Sequence, residues 1–186
     1  MKNSDTPDGF LARVDWRYST PAIVFHWTLA ILIPATLGLG WFMMSIEDEP
    51  AGPTYFNLHK SVGIIVFALV LARLGWRLMH RPQALPGQPG WRTRAPQAVH
   101  GFLYGCMIAM PACGLAGALL GKKPLAFFGM VLPRVVTPDH DLAEKFFNLH
   151  GILAWVLAGL IVVHVAAGLK HRLVDKDGVF RRMWFR

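Results

Sequence analysis

Four apolar stretches that contain no Asp or Glu constrain this chain more than any other feature. They cover about residues 21–46, 58–79, 97–120 and 149–169. Each approaches or exceeds the ~20 residues that an α-helix needs to cross a hydrocarbon layer. A chain of 186 residues that is 54% hydrophobic and only 16% charged has too little polar surface for an ordinary soluble domain. A mean hydropathy of +0.39 agrees. The expected fold is an all-α membrane protein, a single domain over residues 1–186 built as a bundle of four transmembrane helices.

An even number of spans puts both termini on one side. That side, with the connection between spans two and three, carries 14 of the 19 Lys and Arg residues. The positive-inside rule therefore predicts cytoplasmic termini. No cleaved signal peptide is expected, because residues 1–20 are polar and partly acidic. Thr20 can cap the first span, and Pro21 suits its first turn. The net charge of +8 sits at span ends, where membrane lipid headgroups are the natural partner and nucleic acid is not.

Between spans, residues 81–96 (RPQALPGQPGWRTRAP) read as a polar loop. Residues 121–147 form a longer connection. Its segment PLAFFGMVLP (124–133) is apolar but too short to span, which suits an interfacial position or a lid over the bundle. Cys106 and Cys113 share one helix ~10 Å apart, too far for a disulfide, and read as packing residues.

The tetrapeptide FNLH occurs at 56–59 and again at 147–150, each copy at the mouth of a span. Spans one and three run outward, and spans two and four run inward. His26 and His164 therefore lie near the inner surface, whereas His59 and His150 lie near the outer one. Fourteen residues separate His150 from His164, ~21 Å of rise, and the rotation returns to within ~40° of the same face. One helix thus offers two imidazoles to one interior stripe, and neighbouring helices supply a partner at each level.

Facing pairs of neutral imidazoles suit bis-histidine ligation of haem, with His26 and His164 on the iron of an inner haem and His59 and His150 on that of an outer one. The absence of CxxCH excludes covalent c-type attachment of such haems. One turn after each ligand stands a small residue (Ala30, Gly63, Ala154, Gly168), leaving room for a macrocycle. A lone transmembrane histidine is as readily hydrogen-bonding glue or a proton relay, so the level-matched pairing carries the argument. His100 shares the inner level but precedes bulky Tyr104, and it reads as a neighbour of a propionate or a quinone. Arg73, Arg77 and Lys60 are candidate propionate partners, against the plain alternative of snorkelling to headgroups. His80, His140 and His171 fall in loops or the tail.

The segments YSTPAIVFHW (18–27), NLHKSVG (57–63), HGFLY (100–104), His150, His164 and LKHRLVDKD (169–177) resemble the bacterial cytochrome b561 family. The likeness runs over nearly the whole chain in matching order. It implies a four-helix cytochrome of the bacterial cytoplasmic (inner) membrane, holding two non-covalent b-type haems with the same histidine pairing. It also implies a role for His171 near the inner haem and a quinone. Known chemistry in the family includes oxidation of superoxide at the outer face with transfer of the electron to ubiquinone.

The expected function is transmembrane electron transfer between an outer-face donor, a small molecule such as superoxide or a protein, and the quinone pool. Lys60, Lys122, Lys123 and Arg134 would steer an anionic donor. The chain is then either a quinone-linked oxidoreductase or a plain electron carrier. A haem-bearing anchor subunit for a redox partner is an alternative of the same fold. A histidine-lined metal-ion transporter is another, disfavoured by spans without carboxylates. No catalytic side chain is expected, since the chemistry would belong to the haems.

Overall fold

A computed structural model of the protein describes residues 17–80 and 90–184, with side chains described from residue 97 onward in the second segment. Residues 1–16, 81–89 and 185–186 lie outside the described residues, and with them most of the loop expected at 81–96. Four long helices dominate: α1 (Thr20–Ser45), α2 (Gly52–Met79), α3 (Gly90–Leu120) and α4 (His140–Lys170). All four are long and apolar enough to cross a membrane. The expected four-helix membrane bundle is the observed fold.

Three helices begin earlier than their apolar stretches, because hydrogen bonding continues past the hydrocarbon limit. Helix α4 starts at His140, so residues 140–147 are helical rather than loop; the Asp139 carboxylate accepts from the Leu142 N–H at 3.0 Å and caps the first turn. Helix α3 starts at Gly90 and α2 at Gly52, with Pro53 in its first turn. Thr20 is not the cap of α1: Ser19 holds that position, and its hydroxyl accepts from the Trp76 indole at 3.1 Å.

The backbones of α1 and α2 pack closely, as do those of α3 and α4, and α2 also lies along α3. Helix α4 approaches the backbone of α1 only over a short stretch. Side chains fill the centre of the bundle at mid-depth. Leu29, Ile33 and Leu37 of α1 meet Val66 and Val70 of α2, Leu103 and Met107 of α3, and Ala154 and Leu157 of α4. Towards lipid the bundle is apolar as well: Ile31, Trp155 and Val162 are each more than 60% exposed. Trp41 and Trp155 stack across the α1–α4 seam with ring centroids 4.7 Å apart.

The two chain ends meet. The Tyr18 N–H donates to the Arg182 carbonyl at 3.2 Å, and the Trp27 indole donates to the Met183 carbonyl at 2.7 Å. The tail therefore docks on α1 through a short 3₁₀ turn, Phe180–Met183. At the other end, the 121–139 connection folds a two-stranded hairpin, β1 (Ala126–Phe127) with β2 (Met130–Val131), around a Phe128–Gly129 turn at positive φ. The Phe128 N–H donates to the Ser61 hydroxyl of α2 at 2.8 Å. Ser61 is fully buried and donates in turn to the Asn57 carbonyl.

Candidate functional site

The histidines of α4 face partners at both depths. Near the chain termini, the His26 and His164 rings have centroids 6.2 Å apart at 74°. Near the opposite end, His59 and His150 lie 6.1 Å apart at 90°. Every member of the apolar plug falls, along its own helix, between these two levels. The four side chains thus form two layers separated by a dry core.

Two imidazoles on opposite sides of one metal, at ~2.0 Å per bond and ~1.1 Å from nitrogen to centroid, lie ~6.3 Å apart; a tetrahedral pair would lie ~5.1 Å apart. The observed 6.2 and 6.1 Å separations leave room for one metal ion between the rings of each pair. His100 is 5.5 Å from His164, closer than either pair.

The second nitrogen of each ring adds to the test. His150 Nδ1 lies 2.7 Å from the Met110 carbonyl. A carbonyl only accepts, so Nδ1 carries the hydrogen and Nε2 presents its lone pair, which is the arrangement a metal-bound histidine adopts. His59 Nδ1 is buried with no hydrogen-bond partner among the described residues. That orphaned nitrogen is open to a ligand or a small polar molecule. At His26 the partner is different: Arg73 Nη2 donates to Nδ1 at 3.1 Å. Iron at Nε2 would require the hydrogen on Nδ1, so that ligation and this contact exclude each other. A haem held by His26 Nε2 would require Arg73 to give up this contact.

Glycines bring the helices close enough. A Cβ at position 40 would sit 3.0 Å from the His59 ring, and one at position 114 would sit 2.7 Å from His150 Nδ1. A Cβ at position 117 would meet the Phe147 ring at 2.8 Å. The F-x-x-H of α4 therefore seats on a G-x-x-G of α3. Sequence reading missed Gly40, Gly114, Gly117 and Met110. The one available signal was the i, i+3 spacing of glycines within an apolar span. Of the small residues expected to make room, Gly63 faces open space and Ala30 is exposed, whereas Ala154 belongs to the plug.

Arg73 and Arg77 both lie over the Tyr104 ring, at 5.5 and 5.4 Å from its centroid. His100 joins them at the termini end. Lys60 is half-buried beside Lys123 at the other. His171 is turned to carboxylates: its Nδ1 is 2.7 Å from Asp177 and 3.4 Å from Asp175, and Asp175 also pairs with Lys170 at 2.6 Å. Arg134 donates to the Gly121 and Lys122 carbonyls just past the end of α3 and stays exposed.

Residues 17–186 match the family model described as prokaryotic cytochrome b561. The chain belongs to that family. Helices, histidine layers and family membership agree on a multi-pass bacterial membrane cytochrome that carries b-type haem and moves electrons. The chain is 29% identical over 178 residues to cytochrome b561 homolog 1 of Escherichia coli, covering 90% of this chain and 96% of that one. It is similarly 29% identical to cytochrome b561 homolog 2 of the same organism, over 90% of each chain. A probable superoxide oxidase CybB of Yersinia pestis is 27% identical over 90% of this chain and 95% of its own.

Proposed function

We propose that this cytochrome carries electrons across the bacterial inner membrane through two b-type haems, from a donor at the outer face to quinone. Two facing histidine pairs with room for one metal ion between their rings, one at each depth, carry this reading. His26 and His164 would hold the haem near the termini, and His59 and His150 the other. The excess of basic residues on the termini side supports cytoplasmic termini, so the first haem is the inner one. A bound haem supplies a one-electron couple at each level.

The chain's own residues do the rest. The Met110 carbonyl fixes the His150 tautomer, leaving Nε2 for the metal. The plug between the layers excludes water from the path. Arg73 and Arg77, held on Tyr104, offer guanidinium groups to the inner haem's propionates, and Lys60 offers an ammonium to the outer one's. His100 and His171 are the titratable groups placed to serve a quinone at the inner side. With Lys122 and Lys123, Lys60 makes the outer mouth basic, which favours an anionic donor. The superoxide oxidase relative supports superoxide as that donor.

The test is the reduced-minus-oxidised spectrum of the purified chain, with haem per polypeptide from the pyridine haemochrome. Two b-type haems are expected. A folded preparation without haem would refute the reading.

A further inference from the structure

The two histidine layers differ in the charge that surrounds them. At the inner layer Arg73 Nη2 touches His26 Nδ1 at 3.1 Å, and Arg77 lies one turn further along α2. Tyr104 holds both guanidinium groups at ring distance, which keeps them at this depth. No Asp or Glu stands in α2 or α3 to offset them. At the outer layer the Met110 carbonyl, a neutral group, is bonded to a ligand ring. Lys60 follows His59 directly in sequence, but adjacent residues on a helix point apart, so its ammonium, available to the haem edge, is not aimed at the His59 ring as Arg73 is at His26.

Reducing a ferric site removes one positive charge. A cation close to a ligand therefore favours the reduced form, and its influence is strong where the surroundings are dry. A carbonyl that accepts from a ligand's N–H makes that imidazole a better donor and favours the oxidised form. Both effects act in the same direction along the bundle.

We propose that Arg73 is a positioning residue that sets the inner site's reduction potential above that of the outer site. This rests on the two-haem reading. When Nε2 of His26 binds iron, Arg73 gives up Nδ1 but keeps its place on Tyr104, so its charge stays at the inner layer. The consequence is a downhill step from outer to inner site built into the protein, independent of which donor and acceptor it meets.

Haem stoichiometry is measured first, since fewer than two haems per chain would refute the underlying reading and not this one. Potentiometric titration then follows on wild type, Arg73→Gln, Arg73→Lys and His59→Ala. In Arg73→Gln the higher potential is expected to fall by at least a tenfold change in reduction equilibrium, ~59 mV for a one-electron couple. The lower potential should stay in place, and Arg73→Lys should recover most of the loss. Unchanged potentials in Arg73→Gln with both haems bound would overturn the proposal. Should Arg73→Gln lose its inner haem, His59→Ala decides with Arg73 intact. Its remaining inner haem must titrate at the higher wild-type potential, and finding it at the lower one overturns the proposal equally.

Discussion

His150 donates from Nδ1 to the Met110 carbonyl at 2.7 Å, and it can do so because position 114 is glycine. A methyl group there would sit 2.7 Å from the same nitrogen. The backbone of α3 thus serves as a second layer of support for a ligand on α4. A substitution on one helix should be felt at a metal held by others.

Gly114→Ala is accordingly expected to weaken haem retention at the outer layer, by the ~10–100-fold typical of lost support behind a metal ligand. Haem per chain should drop towards one while helical content by circular dichroism holds. Gly105→Ala makes the control, since a Cβ there meets nothing within 4 Å. Equal haem loss in both would show that the effect is not contact with His150.

Single histidine variants should sort by layer. His26→Ala and His164→Ala are expected to lose the same spectral component, and His59→Ala and His150→Ala the other. His100→Ala should retain both haems, because its 5.5 Å approach to His164 is too short for a trans pair. Loss of a haem from His100→Ala, with His26→Ala unaffected, would reassign the inner ligand.

Ser61 holds the hairpin to the bundle. Ser61→Ala leaves the Phe128 N–H without its acceptor, at a cost of ~0.5–1.5 kcal/mol for one hydrogen bond. The expected result is faster hydrogen exchange over residues 125–132 with haem content unchanged. Unaltered exchange would mean that the strands hold themselves.

Packing at mid-depth should matter more than apolar contact with lipid. Leu157 is 1% exposed within the plug, and Leu157→Ala is expected to cost ~2–5 kcal/mol and lower Tm clearly in detergent. Val162 is 68% exposed on the same helix, and Val162→Ala should shift Tm little. Similar shifts for the two would refute the separation of a plug from a lipid-facing surface.

Electrostatic steering predicts that neutralising Lys60, Lys122 and Lys123 together slows haem reduction by superoxide and flattens its dependence on salt. Arg134→Gln is expected to loosen the connection after α3 as well, because Arg134 bonds the Gly121 and Lys122 carbonyls. Stopped-flow reduction at several ionic strengths separates these effects. A salt-independent wild-type rate would rule steering out.

Four spans, their even number and the two depths of histidine all follow from counting along the chain. Rise and rotation per residue are constants of any helix, so His150 and His164 share a stripe whatever surrounds them. What counting cannot supply is the rotation and spacing of one helix against another. That geometry seats Phe147 and His150 on Gly117 and Gly114, sends the His150 hydrogen to Met110, and sets Arg73 on His26. It also ties an apolar hairpin to Ser61 and bonds Arg134 to the connection after α3. The ligands were determined by periodicity within single helices, whereas their tautomers and charges were decided by contacts between helices, which only the folded bundle specifies.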